Sequence, residues 1–153
     1  MKKEISSKHL VPVIKMAVDE GKTVKFTVKG NSMYPLLVSE RDKVLVSKAD
    51  SFKKGDIVLY QRDKDEYVFH RIIKKDDGNK NLTMCGDNET ELEYNVSFEA
   101  VIAKAVSFER KGKMFSVKNV FYRIYSCIWT NFVEKRRIIL RTLIFFYKKN
   151  KKI

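Results

Sequence analysis

Between Thr23 and Phe108 short apolar-rich runs of strand length follow one another, the first with an apolar residue at every second position, and this succession is the feature that most narrows the fold. Thr23 to Lys29 alternates Val24, Phe26 and Val28 with polar residues, and Lys43 to Ser47, Asp56 to Gln61, Tyr67 to Lys74, Asn81 to Cys85 and Ala100 to Phe108 continue the series. Lys54-Gly55-Asp56, the charged stretch Arg62 to Glu66 and Asp76-Asp77-Gly78-Asn79 interrupt them with the residue types that turns require. About six short strands with few helices between them predict a mainly β fold, a coiled antiparallel sheet or partly open barrel.

Two segments break the succession. Leu10, Val13, Ile14, Ala17 and Val18 recur at helical spacing, with Ser6 or Ser7 as N-cap and Gly21 as the stop, so residues 1–22 read as an N-terminal helix. Arg110-Lys111-Gly112-Lys113 reads as a boundary turn. Beyond it, residues 117–148 mix long apolar and basic side chains without Gly or Pro, which predicts one or two helices. The organisation expected is a helix (1–22), a β domain (23–114) and a basic amphipathic helical tail (115–153). No internal repeat is visible, and 153 residues suit one such domain.

The formal net charge of +13 sits mainly in that tail. Residues 1–114 hold 22 Lys+Arg against 18 Asp+Glu, whereas residues 115–153 hold 10 against 1. Such a block suits nucleic acid, an anionic membrane surface or an acidic partner, and charge alone does not choose. The N-terminus interrupts its apolar residues with Lys15, Asp19 and Glu20, unlike a secretory signal peptide. The longest uncharged stretches, Ile124 to Val133 among them, are ten residues, short of the roughly 18–20 that span a bilayer. The expectation is therefore a chain without a transmembrane helix, cytoplasmic or peripheral at the cytoplasmic membrane. Cys85 and Cys127 lack metal-ligand spacing and read as reduced thiols; no metal or cofactor is implied.

Two residues stand out for chemistry. Ser32 lies at the centre of Gly30-Asn31-Ser32-Met33-Tyr34-Pro35, a tight exposed turn between two predicted strands. A serine hydroxyl is a poor nucleophile until a base removes its proton and N–H groups stabilise the ensuing oxyanion. Of the two histidines, His9 falls on the first helix and His70 within a strand. Alternation places His70 on one face with Val68 and Ile72, and Phe69, Arg71 and Ile73 on the other. His70 is the better general base, although a lone turn serine or strand histidine is ordinarily structural.

The order of several motifs adds to this. GNSMYP, then Phe52-Lys53-Lys54-Gly55-Asp56-Ile57-Val58, then Phe69-His70-Arg71-Ile72-Ile73, then Cys85-Gly86-Asp87-Asn88 resembles the type I signal peptidase and LexA-like serine peptidase superfamily over roughly residues 24–106. The resemblance implies Ser32 as nucleophile and His70 as base, since the endoplasmic-reticulum and sporulation branch carries His-Arg where other members carry lysine. The approach to the serine, Val-Lys-Gly-Asn-Ser-Met, is closer to the LexA-like pattern. A carboxylate that orients the histidine is implied too. Asp87 matches the motif aspartate, and Glu93 falls near the later family acid; the choice between them stays open, and both also read as ordinary loop acids. The Ser32 N–H would serve an oxyanion hole, Gly30 stands where many members carry a hydroxyl, and Asn31, Met33 and Pro35 would shape the turn and substrate groove.

The resemblance thus implies an endopeptidase that processes a peptide or protein precursor, for example by leader removal. Self-cleavage is less favoured, since no DNA-binding domain is seen ahead of the core. The alternative is a non-catalytic membrane-surface or peptide-binding protein that keeps the fold. The family's usual N-terminal anchor is not seen, and the tail offers a substitute: Arg137, Arg141 and Lys148 form one stripe, Ile139, Leu143 and Phe146 another, with Trp129, Phe132, Phe145 and Tyr147 adding aromatic bulk. That composition suits an anionic lipid interface. The same stripe would equally suit packing on the barrel, while nucleic acid is disfavoured by the tail's aliphatic character.

Overall fold

The computed structural model describes residues 7–64 and 66–142. After helix α1 (Ser7–Asp19) come β1 (Val24–Thr27), β2 (Lys43–Lys48), β3 (Ile57–Asp63), β4 (Glu66–Asp76), β5 (Asn81–Cys85), β6 (Glu93–Ser97), β7 (Val101–Arg110) and β8 (Lys113–Ser116). Helix α2 (Val120–Asn131) follows. All eight strands belong to one antiparallel sheet ordered β1-β2-β7-β3-β4-β5-β6, with β8 on β7. The mainly β antiparallel architecture expected from the succession of short strands is the one found.

Strand β7 serves two neighbours on one of its edges. Along its length it pairs with β2; on the other edge its first half pairs with β3 and its last four residues with β8. Side-chain alternation then sorts the interior into two clusters. Ile57 and Leu59 of β3 face Val44, Val46, Ala103, Ala105 and Phe108, and α1 covers this side with Val11, Ile14 and Val18. Val58 and Tyr60 face the other way, onto Ile72, Leu82, Met84 and Val96. With both faces covered, β3 reads as the continuous apolar run Ile-Val-Leu-Tyr and shows no alternation.

Two strands escaped the sequence pattern. Strand β6 lies at the sheet's edge with Val96 alone fully buried, so its residues Glu-Tyr-Asn-Val-Ser carry little periodicity. Strand β7 continues to Arg110, and Lys111 and Gly112, both with positive φ, form a two-residue hairpin that returns the chain as β8. The line expected between residues 114 and 115 therefore falls inside a strand.

The tail's first helix packs on the body. Asn119 caps α2, its Oδ1 accepting from the Phe121 and Tyr122 N–H groups. Tyr122 packs on Phe108 and Phe115, and Trp129 is buried, not displayed. A 3-10 turn at Val133–Lys135 leads into a helical stretch over 136–142, where Arg137 and Arg141 are exposed and Ile139 half-buried. Leu143, Phe145, Phe146, Tyr147 and Lys148 lie outside the described residues. No described helix is long and apolar enough to cross a membrane.

If α2 is integral to the fold, Trp129→Ala should destabilise the whole β body by about 3–5 kcal/mol in urea unfolding, with α2 and sheet melting together. A loss below about 1 kcal/mol would mean that the helix is an appendage.

Candidate functional site

Ser32 sits in a loop whose ends are tied. The Val28 N–H donates to Asp42 O and the Glu40 N–H returns to Val28 O, closing residues 28–42 into one unit. Within it, Gly30 has a φ of +82° and its N–H donates to Ser39 Oγ at 3.0 Å. The Tyr34 N–H donates to Asn31 O at 3.1 Å, which closes a turn around Ser32 and Met33. Met33, Leu36 and Leu37 are buried in the α1-side core and anchor the loop. Pro35 follows a cis peptide bond. Ser32 remains half-exposed at the edge of a largely apolar cavity of about 410 Å³, lined among others by Leu10, Ile14, Phe26, Tyr67 and Phe69.

His70 lies mid-strand on β4, opposite Val58, with the Tyr60 ring edge-on at 6.3 Å. It is 4% exposed. Its Nε2 stands 3.6 Å from Glu89 Oε2, and its buried Nδ1 has no hydrogen-bond partner among the described residues. Burial depresses the imidazole pKa, helped by the Arg62 cation, while the Glu89, Glu93 and Asp87 carboxylates oppose the shift. His70 opens to a polar cleft of about 610 Å³ shared with Arg62, Asn88, Glu89 and Glu93.

Residues 86–89 join these two pieces. The Asn88 N–H donates to Ser32 O at 2.7 Å, while Glu89 of the same loop reaches the imidazole. The junction is tight at Gly86, where a Cβ would lie 2.7 Å from Ser32 O and 3.0 Å from the Glu89 carboxyl. Among the described residues no hydrogen bond joins Ser32 Oγ to the imidazole. Catalytic hydrogen bonds are often incomplete in the absence of substrate.

The loop is itself held from behind. Arg71 and Asp87, both 0% exposed, form a two-pronged pair with Nε–Oδ1 at 2.8 Å and Nη2–Oδ2 at 2.7 Å. Burial disfavours the Arg71 charge, but the adjoining Asp87 more than offsets this and raises its pKa. Arg71 Nη1 also donates to Gly55 O and Ser126 Oγ, and the Tyr125 hydroxyl donates to Asp87 Oδ2 at 2.8 Å. Trp129, stacked on Tyr125, gives its Nε1–H to Asp87 O. Arg136, also buried, donates to Gly86 O, Glu89 O and Trp129 O.

The two acids singled out in the sequence are thus engaged elsewhere. Asp87 is bonded to Arg71 and Tyr125. Glu93 accepts from Tyr60 Oη at 2.6 Å and from Arg62 Nη2 at 2.7 Å. Burial tends to raise the Glu93 pKa, and the Arg62 and Tyr60 bonds outweigh it and leave it lowered. The carboxylate beside His70 is Glu89, which sequence reasoning passed over because a loop acid has no period to mark it. Arg71 did carry a signal: a charged residue on a strand flanked by Phe69 and Ile73 announces a buried partner. Cys85 is buried, which raises its thiol pKa despite Arg136 nearby, and it is poorly suited to nucleophilic work. Among the described residues no group of three or more His, Cys, Asp or Glu could hold a metal ion.

Two outcomes follow from this geometry. Asp87→Ala, which strands the Arg71 charge in the interior, should cost about 3–5 kcal/mol by chemical denaturation, and a loss below about 1 kcal/mol would contradict the pairing. A histidine that folding makes harder to protonate lends stability that is complete above its unfolded pKa near 6.5 and is lost as pH falls below it. NMR titration should therefore find the His70 midpoint below about 6.5; a midpoint above that value would contradict the burial argument.

Comparison with known proteins agrees with this architecture. The family model described as Peptidase S24-like matches residues 2–106, which contain the Ser32 turn, the His70 strand and the 86–89 loop. A LexA repressor from Leuconostoc citreum (strain KM20) is 26% identical over 91 residues, which are 60% of this chain and 42% of the repressor. The chain thus spans less than half the length of that relative. On the family match and the fold together, the chain belongs to the Peptidase S24-like family.

Proposed function

We propose that this chain is a serine endopeptidase that cleaves a peptide or protein precursor, with Ser32 as nucleophile and His70 as general base. The observation that carries this reading is that one loop, residues 86–89, holds both the Ser32 turn and the imidazole, whose Nδ1 is buried without a partner. A buried polar atom left unpaired is costly, and a site that awaits substrate is one reason to keep it. In this mechanism Ser32 Oγ attacks the scissile carbonyl carbon while His70 takes its proton. The Ser32 N–H stabilises the oxyanion, the C–N bond breaks as His70 returns the proton to the leaving amine, and water then hydrolyses the acyl-enzyme.

A Ser–His assignment agrees with His70-Arg71 in place of lysine, and it is the feature that aligns the chain with the Ser–His branch of the superfamily. We assign Glu89 to positioning the imidazole, since Asp87 and Glu93 are committed to Arg71 and to Tyr60 and Arg62. The apolar cavity beside Ser32 suits an extended peptide with apolar side chains. Cleavage of the chain by itself is a second reading, favoured by the match to a repressor. A non-catalytic peptide-binding role is the third.

Ser32→Ala and His70→Ala should each reduce cleavage of precursor peptides offered to the purified chain by at least about a thousandfold, and Ser32→Ala should do so with an unfolding midpoint close to that of the wild type. Equal cleavage by wild type and both variants would refute the assignment. Ser32-dependent fragmentation of the chain in isolation, with a rate independent of its concentration, would select self-cleavage. The acid limb of kcat/KM should lie below about pH 6.5. Glu89→Gln should move it lower still, because the carboxylate that favours the imidazolium is gone; an unmoved limb would remove Glu89 from the site.

A further inference from the structure

Helix α2 is amphipathic in the reverse of the usual sense. Its inward face carries the polar handles, with Tyr125, Ser126, Trp129 and Thr130 all hydrogen-bonded. Its outward face is apolar: Val120, Phe121, Ile124, Ile128 and Phe132 are all exposed, Phe121 to 83% and Ile124 to 54%. Scattered exposed apolar residues are normal, but a contiguous stripe along a whole helix is a surface built for contact.

The surroundings of the stripe are cationic. Lys118 precedes the helix, Arg123 flanks the stripe, and the Lys135 ammonium lies 5.8 Å from the Phe132 ring. On the Ser126 and Thr130 side of the helix runs an open groove of about 970 Å³ whose charged lining is Lys53, Lys54, Lys104, Lys118, Arg123 and the single acid Asp56. From residue 115 onward the chain has 10 Lys+Arg and 1 Asp+Glu.

We infer that the outward face of α2 docks flat on an anionic phospholipid bilayer, Phe121, Ile124 and Ile128 entering the acyl boundary and Lys118, Arg123 and Lys135 meeting headgroup phosphates. Apolar stripe and cationic flanks together match the interface of a bilayer, where hydrocarbon and negative charge lie a few ångströms apart. Nucleic acid would satisfy the cations and leave Phe121 and Ile124 in water. A 12-residue helix, about 18 Å long, can lie in the interface but not cross it. The docking face differs from the stripe of Ile139, Leu143 and Phe146 read from the sequence, and Trp129 belongs to the opposite, buried face.

Flotation of the full chain with vesicles tests this. Binding is expected to phosphatidylcholine vesicles containing phosphatidylglycerol, weakened by salt, and little to phosphatidylcholine alone. Ile124→Asp/Ile128→Asp, at solvent-exposed positions, should lower the partition coefficient roughly tenfold or more with an unchanged unfolding midpoint. Ile124→Trp should show a blue-shifted emission quenched by brominated lipid. No flotation of the wild type, or equal flotation of the double variant, overturns the inference. Capture by duplex DNA that survives Ile124→Asp/Ile128→Asp, without flotation, also overturns it and reassigns the face to nucleic acid.

Discussion

The buried pairing of Arg71 with Asp87 is the interaction on which the candidate site depends. Two opposite charges withdrawn from water are tolerable only when every remaining donor and acceptor is used. Gly55 O, Ser126 and Tyr125 complete that set, and the Trp129 indole adds a bond to the Asp87 backbone carbonyl. This requirement draws α2 onto β4 and fixes the 86–89 loop, so a helix in the C-terminal part of the chain becomes part of the site's support. Arg136 adds a second buried cation, with carbonyl oxygens of Gly86, Glu89 and Trp129 as its acceptors.

Neighbouring positions of β4 thereby acquire opposite duties. Arg71 points to α2 and is held charged by its carboxylate partner, whereas His70 points to the polar cleft and is held towards neutrality by burial. A neutral imidazole near physiological pH is the form a general base requires. The carboxylates around it divide similarly: Glu93 is drawn off by Arg62 and Tyr60, which leaves Glu89 nearest the ring.

The β architecture was legible because most strands have one face on a core, and the period of two survives wherever that holds. It failed for β6, whose edge position leaves too few buried residues to set a pattern, and for β8, where Phe115 alone is even half-buried. The order of motifs pointed to Ser32 and His70, and both lie against the 86–89 loop. The role of Asp87 was not, because sequence order does not reveal that Arg71, sixteen positions earlier, competes for the carboxylate. Nor did the tail's composition reveal which face of α2 turns inward. Tyr, Trp and Ser carry both apolar bulk and hydrogen-bonding groups, and only the buried pair beneath them decides the orientation.

The central claim is that α2 holds the 86–89 loop, and through it the Ser32 turn, in register with His70. Amide hydrogen exchange at Asn88, whose N–H donates to Ser32 O, reads that register directly. Strong protection of Asn88 is expected in the wild type. In a Tyr125→Phe/Trp129→Phe variant, which removes both α2 bonds to Asp87, that protection should drop selectively, with Ile72, whose N–H donates to Asp56 O, still protected. An Asn88 amide that exchanges freely in the wild type, or that is equally protected in the variant, would contradict it.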